Sequence, residues 1–249
     1  MTGLSDRFDE RFGEIVAYLE LIDGIEKLVR SGVPRLGDEG PTITALQQRI
    51  LNSSVYLQLY NLVEATVSNC LDAVSKAAMR QAEWGPGDLT SELRKEWVRY
   101  MARTHLPSGP DKRLEDAIGL CDYLVAALPV AEFEIEKGGG GNWDDKAIKK
   151  MARRIGFELR VSRSVEREVK RKIRNDLGSL TLIMELRNAL AHGRLSFVEC
   201  GQDDSAAELR ALAIRVAAYL REVVAAFDRY IEEHLYIRPD RRPEYAAAS

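Results

Sequence analysis

Apolar residues recur every three or four positions along most of the chain. This spacing places them on one face of an α-helix, which completes a turn in about 3.6 residues. It predicts helices over about residues 5–30, 42–82, 89–104 and 112–128, and a further long helix that opens at a Ser205 capping box. Glycine and proline separate these segments, and the alternation typical of strands is weak. The pattern therefore predicts an all-α fold, a helical bundle.

The size and composition of the chain are those of a globular protein. Its 249 residues are 45% hydrophobic and 30% charged, enough to bury a sizeable core in one large domain or two small ones. We predict one helical domain over residues 1–249, with an N-terminal helix and loop over about 1–40. Pro239 and Pro243 indicate a loose tail over about 236–249.

Sequence features bearing on location favour the cytoplasm. No apolar run approaches the roughly 18 residues of a membrane-spanning helix, so we expect no membrane partner. The first residues are acidic and lack the basic-then-apolar pattern of a secretion signal. Cys70, Cys121 and Cys200 are odd in number and widely spaced, which favours reduced thiols in a reducing compartment. Cys70 and Cys121 lie in apolar helical runs, where we expect them to be buried.

Three polar side chains interrupt a predicted buried helix close to its end. Residues 186–193 read Leu-Arg-Asn-Ala-Leu-Ala-His-Gly, and Gly193 is a common type of helix stop. A guanidinium, an amide and an imidazole thus lie on the last two turns, where burying polar groups is costly unless they are satisfied or used. Arg187, Asn188 and His192 are therefore candidate functional residues.

Helical geometry places these side chains on different faces. Asn188 and His192 are four positions apart and share one face. Arg187 lies nearer the apolar stripe, and five positions separate it from His192, about 140° around an ideal helix. Either the last turn is distorted, or a second copy of the helix completes the site across a two-fold axis.

The motif Arg-Asn-x-x-x-His resembles the R-N-x(3–5)-H signature of the HEPN superfamily of helical RNases. Within it, the nearest resemblance is to the HEPN nucleases labelled MAE_28990/MAE_18760-like. Two other stretches support this resemblance. One is residues 60–65, Tyr-Asn-Leu-Val-Glu-Ala, and the other is Gly-Asn-Trp at residues 141–143.

The resemblance implies a HEPN-like bundle with extra peripheral helices and a metal-independent endoribonuclease activity without a cofactor. Arg187, Asn188 and His192 would be catalytic, and the products would carry 2′,3′-cyclic phosphate ends. It also implies a homodimer with the active site at the interface, which agrees with the helical geometry.

The residue types suit cleavage of RNA, which carries its own nucleophile, the 2′-hydroxyl. An imidazole titrates near neutral pH and can accept that proton, while Arg187 can stabilise the charge that develops on the phosphate. Asn188 would orient His192 or a phosphate oxygen. No cluster of His, Cys and carboxylate residues has metal-ligand spacing, so we predict no metal site.

Glu64 lies within the apolar stripe of the second predicted helix. Two interpretations are open. It is either a carboxylate at the rim of the helix or a supporting partner of Arg187, because a buried guanidinium requires a carboxylate.

A basic stretch leads into the motif helix. Between residues 146 and 174, twelve Lys or Arg face three Glu, an excess of nine positive charges in a chain of net charge −3. The stretch is either a solvated helix face or a set of phosphate contacts beside the motif. The RNA-binding candidates are Lys170, Arg171, Lys172, Arg174 and Arg194.

With the HEPN resemblance, these features favour an RNA endonuclease of the toxin or phage-defence type. Its partners would be RNA and an antitoxin or regulatory protein. The alternative is a non-catalytic helical module that binds RNA or a protein, such as a dimeric adaptor or an antitoxin-like protein. In that case the same residues would form a buried hydrogen-bond network at a dimer interface.

Overall fold

The computed structural model describes residues 3–37, 39–80, 84–104, 106–131, 133–138 and 142–243. Over these ranges it contains nine α-helices and no β-strand, which confirms the predicted all-α fold. The helices are α1 (Leu4–Ser31), α2 (Ala45–Met79), α3 (Ser91–Met101), α4 (Pro110–Val125), α5 (Asp145–Arg154), α6 (Arg163–Lys170), α7 (Ser179–Ala191), α8 (Phe197–Cys200) and α9 (Ala206–Glu232). None of the described helices is both long and apolar enough to cross a bilayer.

The chain divides into two compact units, and the division falls within α2, α9 and the first turn of α5. Unit 1 contains Met1–Thr66, Asn142–Asp145 and Val161–Val223, and unit 2 contains Val67–Gly141, Lys146–Arg160 and Val224–Ser249. Each unit has its own helical core.

The core of unit 1 is formed by α1, the first part of α2, α7 and most of α9. Their buried apolar residues follow the helical spacing read from the sequence, as in Ile15, Leu19, Ile22, Val55, Leu59, Leu62, Ile183, Leu186, Leu212, Val216 and Leu220. The Tyr18 hydroxyl donates to the Leu51 carbonyl at 3.0 Å, which joins α1 to α2. These helices supply the elements that position the candidate site.

The predicted capping box at the start of α9 is present. The Ser205 amide donates to Glu208 Oε2 at 3.0 Å, and the Glu208 amide donates to Ser205 Oγ at 3.3 Å. This reciprocal pair satisfies amides that have no partner within the helix, and α9 accordingly begins at Ala206.

Aromatic side chains fill the core of unit 2. The Tyr230 hydroxyl donates to the Ile155 carbonyl at 2.6 Å, and the Phe157 ring stacks on the Tyr230 ring at 4.6 Å. Tyr236 and Ile237 are 2% and 0% exposed, so the beginning of the predicted loose tail is packed instead. Burial of these two large side chains outweighs the effect of the nearby prolines, and residues 244–249 lie outside the described residues.

Unit 2 also contains a buried carboxylate, that of Glu96, which is 1% exposed. Arg154 donates to both of its oxygens, from Nε at 2.8 Å and from Nη2 at 2.5 Å. Arg99 donates to it as well, at 2.5 Å. The bidentate geometry compensates for removing the carboxylate from water.

Helix α4 departs from the sequence prediction. Its apolar residues recur at helical spacing, as they do in the buried helices, yet none of its residues is buried. The prediction of a buried thiol is correct for Cys70 and wrong for Cys121, which is exposed on α4. The helix turns its other side inward instead, where the Tyr123 ring lies 5.4 Å from the Trp97 ring.

Candidate functional site

Three segments that lie far apart in the sequence meet around Arg187 in unit 1. Tyr60 and Glu64 lie on one face of α2, Asn142 precedes α5, and Arg187 lies near the end of α7. These are the three stretches that carry the HEPN resemblance. The fold brings them together in one cluster of polar contacts.

The Arg187 guanidinium is held in place but remains accessible. Its central carbon lies 4.6 Å from the centroid of the Tyr60 ring, and Nη1 donates to Asn188 Oδ1 at 2.9 Å. Nη2 is 3.9 Å from Glu64 Oε2, an ion pair at the limit of contact between side chains that are 30% and 41% exposed. A guanidinium has five N–H donors, so several remain directed at solvent or at an anionic ligand.

Tyr60 provides a rigid surface beneath the guanidinium. It is 0% exposed, and its hydroxyl accepts a hydrogen bond from the Trp143 amide at 3.3 Å. Burial raises the pKa of Tyr60, against opposing effects of the Trp143 amide and of Arg187, so the phenol stays neutral. Tyr60 was not among the site residues predicted from the sequence. Its position four residues before Glu64, on the same helical face, was the signal available.

Asn188 links Arg187 to the segment before α5. Its Oδ1 accepts from Arg187, and its Nδ2 donates to Asn142 Oδ1 at 2.9 Å. Neither of these side-chain contacts involves His192, so they give no support to the hypothesis that Asn188 orients the imidazole. Asn188 touches His192 through the backbone, where the His192 amide donates to the Asn188 carbonyl at 3.1 Å.

His192 forms the C-terminal cap of α7, and its side chain is exposed. Gly193 follows with φ of +66°, and its amide donates to the Leu190 carbonyl at 3.2 Å. The Arg194 amide donates to the Ala189 carbonyl at 2.8 Å, which completes a Schellman motif. The glycine stop is thus confirmed. Within the described ranges, no side chain forms a hydrogen bond with the imidazole, which leaves both nitrogens open to a ligand.

Replacing Gly193 with alanine should lower the free energy of unfolding by about 1 kcal/mol, because an L-residue is strained at positive φ. An added Cβ meets nothing within 4 Å, so strain is the only cost. Gly13→Ala in α1 is the matched control, since its Cβ also meets nothing and alanine favours a helix. The midpoint of urea denaturation, followed by circular dichroism, should therefore fall for Gly193→Ala and rise for Gly13→Ala. Midpoints that shift in the same direction for both variants would contradict the left-handed conformation at Gly193.

Arg174 is 28% exposed, and its guanidinium is engaged in contacts within unit 1. Its guanidinium donates to the Cys200 carbonyl at 3.1 Å and to Asp204 Oδ1 at 2.6 Å, and it lies 5.8 Å from the centroid of the Tyr56 ring. Burial raises the pKa of Asp204, and the Arg174 charge opposes that shift. These contacts give Arg174 a structural role, fastening the segment between α8 and α9.

The other four basic candidates remain on the surface. Lys170 and Lys172 form exposed ion pairs with nearby carboxylates at 2.8 and 3.1 Å, of the kind that is weak and easily exchanged. Arg171 and Arg194 are exposed and form no ion pair with any residue that the structure describes. The longer basic stretch is divided between the units, with residues 146–160 in unit 2 and 161–174 in unit 1.

The comparison with protein families gives one match relevant to this site. The model described as HEPN_MAE_28990/-like HEPN matches residues 1–236, which include all three segments that meet at Arg187. No curated protein and no solved structure matches the chain.

Proposed function

Because this chain belongs to the HEPN_MAE_28990/-like HEPN family, we propose that it is an endoribonuclease that cleaves RNA without a metal ion. Membership of this family supports a nuclease or RNA-related function. The observation that supports metal-independent RNA cleavage is the way in which the Arg187 guanidinium is held and exposed. Its guanidinium is fixed on the Tyr60 ring, 30% exposed and supplied with unused donors, on the helix that ends at the exposed His192.

The proposed reaction is an internal transesterification. His192 accepts the proton of the 2′-hydroxyl, the 2′-oxygen forms a bond to phosphorus, and the bond from phosphorus to the 5′-oxygen breaks. The 5′-oxygen takes up a proton, which gives a 5′-hydroxyl end and a 2′,3′-cyclic phosphate. Arg187 stabilises the extra negative charge on the phosphate oxygens in the transition state.

The surrounding residues position these two groups. Tyr60 restricts the guanidinium to one plane, and Asn188 holds its edge while being held in turn by Asn142. We assign Glu64 a supporting role, since its loose ion pair orients Arg187 but leaves room for a phosphate to displace it.

The same geometry supports an active homodimer. On an ideal helix, residues five positions apart such as Arg187 and His192 project in directions about 140° apart, so one phosphate does not readily reach both in a single copy. An interface built on α7 would bring the imidazole of one copy to the guanidinium of the other. Arg171 and Arg194 would add salt-dependent phosphate contacts.

The biological role that we propose is that of a toxin or phage-defence effector controlled by an antitoxin or regulatory protein in the cytoplasm. A cell needs such control over a nuclease whose site needs no cofactor.

The deciding experiment is cleavage of an end-labelled RNA in the presence of EDTA. We expect fragments with cyclic phosphate and 5′-hydroxyl ends. The matched control is the same oligonucleotide with a single 2′-deoxy sugar at the cleaved position, which should remain intact there. Cleavage of that control, or dependence on added metal ions, would contradict the proposal.

A second function, an RNA-binding module without catalysis, is favoured by one feature, the use of both polar atoms of Asn188 within the protein. The same assay separates the two functions. A gel shift of intact RNA without cleavage, by a chain shown to be dimeric, would support binding alone.

A further inference from the structure

Helix α4 in unit 2 exposes a continuous apolar stripe. Leu114, Ile118 and Val125 are 61%, 52% and 86% exposed, Cys121 is exposed among them, and no residue of the helix is buried. Soluble proteins seldom leave such a face in water, and it usually marks an interaction site.

The stripe has the spacing of a coiled-coil seam. Leu114, Ile118, Cys121 and Val125 follow one another at intervals of four, three and four residues, which confines them to about 60° of the helix surface. Asp116, Leu120 and Tyr123 lie on the opposite side and are less exposed. The face with Asp116, Leu120 and Tyr123 therefore packs against the rest of unit 2, and the face with the apolar stripe is exposed to solvent.

The two edges of the stripe differ in charge. Glu115 and Asp122 occupy one edge, seven residues apart, while Ala117 and Leu124 occupy the other. Lys112 donates to Glu115 at 3.1 Å, but both side chains are well exposed and such a pair is readily exchanged. Asp122 has no ion pair with any described residue.

We propose that this stripe, Leu114, Ile118, Cys121 and Val125, docks an amphipathic helix of another protein that carries lysine or arginine beside its apolar seam. The spacing specifies a helical partner, and the carboxylate edge specifies its charge. This inference does not depend on the proposed nuclease activity.

A second copy of α4 fits the stripe less well. In an antiparallel pair, Glu115 would face Asp122 of the second copy, placing like charges together. In a parallel pair, both carboxylates would face the edge with Ala117 and Leu124, without a counter-charge. An anionic membrane surface fits poorly too, because amphipathic helices that bind one carry basic rather than acidic edges.

The test uses two synthetic three-heptad peptides with leucine at the seam positions and either lysine or glutamate at both edges. Their binding to the full-length chain is measured by fluorescence anisotropy at low salt. We expect the lysine peptide to bind at least about tenfold more tightly than the glutamate peptide. The Ile118→Asp variant should abolish this binding, whereas Ile214→Asp, a change at a 59% exposed apolar residue of α9, should not.

The Asp122→Lys variant distinguishes recognition of charge from nonspecific hydrophobic binding. It should reduce the preference for the lysine peptide while leaving the melting temperature unchanged, since Asp122 is exposed. Four outcomes would overturn the proposal. They are equal binding of both peptides, binding of neither, a dimer that Ile118→Asp dissociates in sedimentation, and capture by anionic vesicles that Ile118→Asp abolishes.

Discussion

Arg187→Ala should reduce the rate of RNA cleavage by about a hundredfold to a thousandfold, the usual effect of removing one group that stabilises transition-state charge. The loss should fall on kcat, because the developing charge is greatest in the transition state. The fold should survive, since the lost contacts are an aromatic stacking interaction, one hydrogen bond and a loose ion pair. Single-turnover kinetics on a labelled RNA, with circular dichroism on the same samples, provide the measurement.

Graded variants test the geometry as well as the charge. Arg187→Lys keeps the positive charge but loses the planar group that stacks on Tyr60, so we expect intermediate activity. Tyr60→Leu keeps Arg187 but removes its platform and should slow cleavage for the same reason. Arg11→Ala, at an exposed arginine of α1, is the matched control and should be fully active.

His192→Ala should give a comparable loss, within the range of a hundredfold to ten-thousandfold for a general base. The exposed imidazole has little structural role, so stability should not change. His234→Ala is the control for a histidine that contributes to stability and not to cleavage. The His234 ring packs 5.5 Å from the Trp84 ring, so this variant should melt earlier yet cleave normally when folded. Undiminished cleavage by both Arg187→Ala and His192→Ala would place the activity elsewhere.

Glu96→Ala should lower the free energy of unfolding by about 3 kcal/mol, the low end of the range for breaking a buried ion pair. The substitution removes the carboxylate that forms ion pairs with both Arg154 and Arg99. The low end applies because the Arg154 side chain is 25% exposed and water can partly replace the lost partner. Chemical denaturation monitored by tryptophan fluorescence detects unfolding of unit 2, because two of the three tryptophans, Trp84 and Trp97, lie in it, and Trp97 is adjacent to Glu96 and 1% exposed.

Two further variants make this prediction specific. Lys95→Ala, at an exposed position of the same helix, should change stability by less than about 0.5 kcal/mol. The double variant Glu96→Met and Arg154→Met should recover part of the loss, because an apolar pair avoids the desolvation cost. If the double variant were no more stable than Glu96→Ala, the cost would lie in packing rather than in the unpaired charge.

The sequence alone determined the features that depend on neighbouring residues. The helical period predicted the all-α fold, Ser205 predicted the start of α9, and Gly193 predicted the end of α7. The motif of Arg187, Asn188 and His192 predicted the family, which the match over residues 1–236 confirms. Backbone geometry, capping and motif spacing act over a few positions, so they can be read locally.

Only the tertiary structure decided which distant residues meet and which faces are covered. Asn142 contacts Asn188 across 46 positions, and the Trp143 amide reaches Tyr60 across 83. Local periodicity carries no information about such pairings. It also does not distinguish the covered face of α2 from the uncovered stripe of α4, since both show the same spacing of apolar residues. Burial depends on what packs against a face, and that is a property of the whole fold.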